Sequence, residues 1–200
     1  MPRRGLRVIA GAAGGLPLVA PKGGRARPTT DRVKESVFGA LGPGRLVDVA
    51  VLDLYAGSGA LGIESLSRGA RSAVLVDRDR LAADACRRNL TTTRLNGRAR
   101  VQCSTVTAFL SAGAPAEAPF GLVFVDPPYE TDTDEVTRVL TVLAGSGWLA
   151  PGATAVVERG AGARPDVPIG WTSGWERGYG DTLVTVLTSG TQGRSGVTAT

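Results

Sequence analysis

The chain has 200 residues, with 23 lysine and arginine residues against 18 acidic ones, no histidine and a net charge of +5. A chain of this length suits one domain with a full core, since roughly 70% of its unfolded surface would be buried on folding. No apolar run approaches the ~20 residues of a membrane-spanning helix, and Met1-Pro2-Arg3-Arg4 lacks the apolar stretch of a signal peptide, so a soluble cytoplasmic protein is expected. Without histidine, Ser-His-Asp and Cys-His catalysis, histidine-ligated metals and imidazole proton shuttles are excluded. Cys86 and Cys103 lack C-x-x-C spacing, which leaves no basis for a disulfide framework or thiolate zinc site and predicts two small buried apolar residues.

Charge is concentrated at the front. Residues 1 to 34 hold Arg3, Arg4, Arg7, Lys22, Arg25, Arg27, Arg32 and Lys34 against Asp31 alone, a sum of +7, so the rest of the chain sums to −2. Such clustering favours a phosphate backbone through counterion release, and arginine adds bidentate phosphate contacts and stacking; the plain alternative is a solvated arginine-rich arm. Two extended runs, Leu6 to Ala10 and Leu16 to Ala20, split by Gly11, Gly14 and Gly15, predict a hairpin. Residues 1–28 are therefore expected to form a basic extension, followed by the main domain at 29–188. A helix should start after Thr30 or Asp31, both good N-caps, with Val33, Val37, Phe38 and Leu41 on its apolar face, and end at Gly42-Pro43-Gly44.

From Val51 the pattern alternates: a strand, a helix over 60–68, a strand over 73–77, a helix over 80–93, a strand over 99–103, a short helix over 105–111, a strand over 121–125, a helix over 132–144 and a strand over 153–158. Alternation of this kind predicts an α/β, doubly wound, Rossmann-like sheet, parallel with helices on both faces. Trp171, Trp175 and Tyr179, then Thr182 to Leu187, predict a terminal antiparallel hairpin that makes the sheet mixed. The two tryptophans suit either base stacking or, more commonly, sheet packing. A second basic set, Arg87, Arg88, Arg94, Arg98 and Arg100, fits a solvated helix face and loop as well as it fits RNA. Residues 189–200 carry no apolar pattern and are expected to be a disordered tail.

Two loops carry the chemistry. Val51 to Tyr55 runs into Gly57-Ser58-Gly59-Ala60-Leu61-Gly62, a G-x-G-x-x-G between strand and helix, and the next strand ends in Asp77, where a carboxylate can accept from both hydroxyls of a ribose. These features alone fit nicotinamide, flavin or S-adenosylmethionine enzymes, because each ligand carries an adenosine. The strand Leu122 to Val125 ends in Asp126-Pro127-Pro128-Tyr129, a carboxylate, a rigid turn whose prolines have no N–H, and an aromatic ring. That set can hold a flat exocyclic amine, with Asp126 and the Pro127 carbonyl as acceptors and Tyr129 stacked on the ring. Methylation of an amine needs such a clamp; hydride transfer does not.

Beyond these motifs, the chain resembles the bacterial 16S ribosomal RNA guanine-N2 methyltransferases of the RsmD type, up to about Leu187. The matching stretches are Val8-Ile9-Ala10-Gly11, the block from Arg27 through Thr29, Thr30 and Asp31 to Glu35, Leu61 to Ala70, and Tyr179-Gly180-Asp181-Thr182. The resemblance implies a class I methyltransferase sheet and transfer of one methyl group from S-adenosyl-L-methionine to N2 of a guanine in 16S rRNA. Catalysis would fall to Asp126, Pro127, Pro128 and Tyr129, and cofactor binding to Asp53, Tyr55, Gly57, Ser58, Gly59, Asp77, Arg78, Thr105, Val106 and Asp126. Thr105 stands where the family usually has an acid for the adenine amino group. The basic residues from Arg3 to Lys34 would hold the RNA. The implied partner is 16S rRNA within an assembled or partly assembled small ribosomal subunit, with no metal, no membrane and a monomeric enzyme. An adenine-N6 or other exocyclic-amine methyltransferase, a dinucleotide oxidoreductase and a non-catalytic RNA-binding factor remain as alternatives.

Overall fold

The computed structural model describes residues 6–21, 31–145, 147–164 and 166–190. One seven-stranded sheet runs through it, in the order β3-β2-β1-β4-β5-β7-β6. Its strands are β1 (Ala50–Leu54), β2 (Ser72–Asp77), β3 (Ala99–Cys103), β4 (Phe120–Val125), β5 (Leu149–Gly160), β6 (Trp171–Tyr179) and β7 (Thr182–Ser189). The first five pair in parallel, and β7 enters antiparallel between β5 and β6. The helices are α1 (Asp31–Leu41), α2 (Ala60–Ser67), α3 (Arg80–Thr93), α4 (Val106–Ser111) and α5 (Thr133–Leu143).

A parallel sheet covered on both faces needs strands that are apolar at every position, which is why β1 and β4 read as continuous hydrophobic runs. Successive side chains point to opposite faces. Val51, Leu75, Phe124 and Val156 join the core beneath α1, α2 and the N-terminal segment, whereas Leu52, Val74, Val123 and Val157 join the core beneath α4 and α5. By the same alternation Asp53 lies on the α2 side. The sheet grows outward in both directions from β1 and β4, so the carboxyl ends of these neighbours border the crevice where a doubly wound sheet takes its ligand.

Residues 6–21 form the expected reversal, but they are joined to the core rather than standing apart from it. The two runs are linked by an isolated bridge, Arg7 to Pro17, with Val8 N–H donating to the Leu16 carbonyl oxygen (3.0 Å) and Leu18 N–H to that of Leu6 (2.8 Å). Val8, Ala13 and Leu18 are buried in the same core as α1 and α2. Glu64 of α2, fully buried, accepts from the backbone N–H groups of Ile9 (2.7 Å) and Ala10 (3.0 Å) and from Arg68 Nε (2.6 Å), so its charge is both hydrogen-bonded and paired. Gly11 adopts φ +83° so close to α2 that a Cβ there would lie 2.0 Å from the Ser67 carbonyl oxygen. Two of the stretches that carry the family resemblance, Val8 to Gly11 and Leu61 to Ala70, are therefore the two halves of one packing joint.

Three expectations change. Lys34 is fully buried in α1 and its Nζ donates to the Arg7 carbonyl oxygen (2.6 Å), so it is no part of an exposed basic face. Cys86 is buried as expected, but Cys103, at the exit of the edge strand β3, is exposed. Ser189 belongs to β7, opposite Trp171, which moves the tail boundary outward. Of the two readings of the tryptophans, the commoner one holds for Trp171, which is buried with its indole N–H donating to the Leu140 carbonyl oxygen (2.8 Å), and Trp175 packs against the α1 side of the core. Arg3, Arg4, Lys22, Arg25, Arg27, the Thr30 cap and residues 191–200 lie outside the described residues, as does the side chain of Arg32. Among the described residues no helix is long and apolar enough to cross a membrane.

Candidate active site

Where β1 ends, the backbone turns sharply. Tyr55 takes φ +63°, a left-handed conformation unusual for a residue with a side chain, and Gly57 and Gly59 follow at +56° and +75°. The turn closes with Gly59 N–H donating to the Ala56 carbonyl oxygen (2.7 Å) and leads into α2. Gly62 then lets the helix lie on the sheet, since a Cβ there would stand 2.7 Å from Leu75 Cδ2 and 3.1 Å from Asp53 Oδ2. The Gly62 N–H, in the first turn of α2, donates to Asp53 Oδ2 (2.8 Å). At the end of β2, Asp77 braces the same loop: Oδ2 accepts from Gly57 N–H and Oδ1 from Asp79 N–H, both at 2.8 Å. Each carboxylate oxygen keeps a further lone pair for a ligand hydroxyl.

These groups line a cavity of about 400 Å³, the size of a small-molecule site. Its wall brings together Asp53, Tyr55, Gly57, Ser58, Asp77 and Arg78 with Asp126, Pro127, Pro128 and Tyr129. Leu6, Ala20 and Pro21 of the N-terminal segment close one side. Asn89 of α3 secures that side, because its amide binds both Val19 N–H (2.8 Å) and Val19 carbonyl (2.9 Å) and also donates to the Ser58 carbonyl oxygen (2.8 Å).

The acids affect one another. Burial pushes the Asp53 carboxyl up to about 8, the Gly62 N–H opposes that rise, and Asp126 and Asp77 add to it. One step beyond the last paired residues of β4 and β5, Val125 and Val157, stand Asp126 and Glu158. Burial and then the charge of Asp126 raise the Glu158 carboxyl to about 8. The phenol of Tyr55 is also raised, first by burial and then by Glu135, whose Oε1 accepts from it at 3.1 Å.

The Asp-Pro-Pro-Tyr turn is fastened at both ends. Asp126 N–H reaches back to the Leu54 carbonyl oxygen (3.5 Å), and Arg159 Nη2 donates to the Thr131 carbonyl oxygen (2.6 Å). Tyr129 is half exposed, with its hydroxyl 3.1 Å from Thr182 Oγ1. Two predicted residues are elsewhere. Thr105 caps α4, its hydroxyl accepting from Ala108 N–H (3.1 Å), Val106 is buried under the sheet, and neither lines the cavity. Gly59 is buried behind the loop it shapes. Glu158 and Asn89 were not singled out by sequence; strand register reveals the first and the tertiary contact of α3 with residue 19 the second. No cluster of acidic or cysteine side chains suited to a metal ion occurs among the described residues.

A mixed sheet with this strand order, a glycine loop after β1 and acids ending β1, β2 and β4 defines a Rossmann-like methyltransferase. The solved structure of yhhF from Escherichia coli superimposes with a TM-score of 0.82 at 35% identity, covering 94% of this chain and 99% of that one. The chain is 39% identical over 191 residues to ribosomal RNA small subunit methyltransferase D of Escherichia coli K12, covering 95% of this chain and 93% of that protein. The Haemophilus influenzae protein of the same name is 35% identical over 171 residues, covering 84% and 85%. With the family model described as Conserved hypothetical protein 95 matching residues 6–188, the chain belongs to the RsmD-type methyltransferase family.

Proposed function

We propose that the protein transfers a methyl group from S-adenosyl-L-methionine to the exocyclic N2 of one guanine in 16S rRNA. The observation that carries this reading is that the glycine loop, the acids of β1 and β2 and the Asp126 turn share one cavity wall. The cavity suits the cofactor: Gly57 and Ser58 offer backbone at close range, Asp77 keeps lone pairs for ribose hydroxyls, and a buried acid at Asp53 favours a cationic group beside it. Bound there, the sulfonium supplies an already activated methyl group, so the protein's task is to place a nucleophile in line with it.

The amine is a weak nucleophile because its lone pair is delocalised into the purine. Asp126 and the Pro127 carbonyl accept its two hydrogens out of the ring plane, which favours a pyramidal nitrogen with its lone pair aimed at the cofactor. Tyr129 takes the face of the base, replacing the stacking lost when the guanine leaves the RNA. The transferred nitrogen then sheds its proton to Asp126 or to water. Arginines of the N-terminal region, Arg3, Arg4, Arg7, Arg25, Arg27 and Arg32, with Lys22, hold the RNA phosphates of the small subunit; Lys34 has no part in this. The enzyme works as a cytoplasmic monomer without a metal.

The test is incubation with tritiated cofactor and small-subunit RNA from cells lacking the protein, as naked RNA and as particles, followed by nucleoside analysis. N2-methylguanosine is the expected product. N6-methyladenosine would move the substrate to adenine, and cofactor binding without transfer would leave an RNA-binding factor.

A further inference from the structure

The Tyr179-Gly180-Asp181-Thr182 turn between β6 and β7 lies outside the cavity wall and has no part in the reaction as described so far. Both its ends are nonetheless engaged. The Tyr179 hydroxyl is hydrogen-bonded to Ser36 of α1, which ties the turn to the body of the protein. Thr182 pairs across the sheet with Gly160 and presents its hydroxyl to that of Tyr129 at 3.1 Å. Gly160 adds a second constraint, because a Cβ there would lie 3.1 Å from both Cδ1 and Cε1 of the Tyr129 ring. The ring therefore rests on bare backbone at the end of β5, and the Asp181 carbonyl oxygen accepts from Ala161 N–H (2.9 Å) to hold that backbone against the turn.

A ring that is 51% exposed has little packing to choose its rotamer. We infer that the β6–β7 turn is a positioning device for Tyr129, with Thr182 and Gly160 setting the plane on which the target base stacks. The inference rests on the reading that Tyr129 faces the methylated base. Fixing the ring before RNA arrives removes an ordering cost from base capture. Since Tyr129 is half exposed and belongs to no core cluster, loss of the bond costs the fold little, and the effect falls on substrate capture rather than on folding.

The experiment compares full-length wild type with Thr182→Val, Thr182→Ser, Tyr129→Phe and the double variant Thr182→Val/Tyr129→Phe, using the small-subunit RNA substrate and tritiated cofactor. Thr182→Val and Tyr129→Phe should each raise the KM for RNA about three- to tenfold, the range to which one neutral hydrogen bond converts. For Thr182→Val, which lies outside the cavity wall, kcat, cofactor affinity and Tm should stay close to wild type. Thr182→Ser should restore KM, and the double variant should be no worse than either single one, because both remove the same bond. Additive losses, an unchanged KM, or an equal fall in cofactor affinity would overturn the inference. Should Thr182→Val fold poorly, Tyr129→Phe removes the bond from its exposed end and decides the matter. Silence of these variants in an active enzyme refutes the positioning role alone, whereas a wild type that methylates no RNA refutes the functional reading with it.

Discussion

Asn89 holds Val19 by both of its backbone groups, at 2.8 and 2.9 Å, and spends its remaining donor on the Ser58 carbonyl oxygen. One buried amide thus joins the N-terminal wall of the cavity to the loop after β1. Its replacement by alanine removes three hydrogen bonds at about 0.5 to 1.5 kcal/mol each and strands the Val19 and Ser58 groups. Asn89→Ala should lower unfolding free energy by roughly 2 to 4 kcal/mol and weaken cofactor binding, and Asn89→Asp, which sets a buried carboxylate oxygen against the Val19 and Ser58 carbonyls, should lose at least as much. Urea titration and calorimetry on both variants provide the check.

Cofactor binding should depend on pH through Asp53. Its carboxyl sits near 8, raised by burial, so below that pH the free protein must release a proton before the acid can face a cationic ligand. Affinity should therefore rise with pH up to about 8 and level off above it, with proton release visible by calorimetry in buffers of different ionisation enthalpy. Asp53→Asn should bind more weakly at high pH and show a flat profile. A wild-type affinity independent of pH would mean that Asp53 is not beside the ligand's charge.

Asp126→Ala should abolish methyl transfer with cofactor affinity nearly unchanged, because Asp126 is proposed to act on the amine. Residual turnover above about a tenth, a barrier change under ~1.4 kcal/mol, would remove it from that role.

Glu158 predicts a stability profile. Its folded-state pKa of about 8 lies above the ordinary 4.5, so the fold binds the proton more tightly than the unfolded chain does. The stabilisation is complete below about 4.5 and is lost as pH rises through about 8. Glu158→Gln cannot ionise, so its Tm should gain on wild type across this window. Parallel Tm curves for the two proteins would show that Glu158 is ionised throughout.

Removing residues 1 to 21 should destabilise the protein rather than trim an arm. Val8, Ala13 and Leu18 would leave the core, and Glu64 would keep Arg68 but lose two backbone donors in a buried position. Truncation to residue 5 should spare Tm while lowering RNA affinity at low salt, since it removes Arg3 and Arg4 alone. Thermal melts and salt-dependent RNA titrations separate the two effects.

The parallel half of the fold is legible in the chain because strands buried on both faces announce themselves as apolar runs, and the acids Asp53, Asp77 and Asp126 sit within or just past them. Glu158 is not legible in this way. It follows the same kind of run, yet only the register of β4 against β5 brings it beside Asp126. Lys34 misleads because charge counting places a lysine in solvent, whereas its neighbours Val33, Val37 and Phe38 draw that part of α1 into the core, where a backbone carbonyl from residue 7 satisfies the ammonium. Thr105 shows a local rule at work at a family position: a threonine ahead of Val106 is a helix cap, its hydroxyl accepting from Ala108 N–H.

The joint between Glu64 and the Ile9–Ala10 backbone spans more than 50 residues of sequence, and that between Asn89 and Val19 spans 70. Contacts of such separation form late, because the loop entropy of the intervening chain has to be overcome before they contribute. During synthesis, the segment that completes the pocket leaves the ribosome first and waits for α2 and α3 before it can dock. A cofactor bound in the proposed cavity, whose wall includes Leu6, Ala20 and Pro21 together with Ala60, Leu61 and Ala82, would hold the docked state by mass action, about 2.7 kcal/mol at a hundred times its Kd, and its supply would then act on the folding of the newly made chain as well as on turnover.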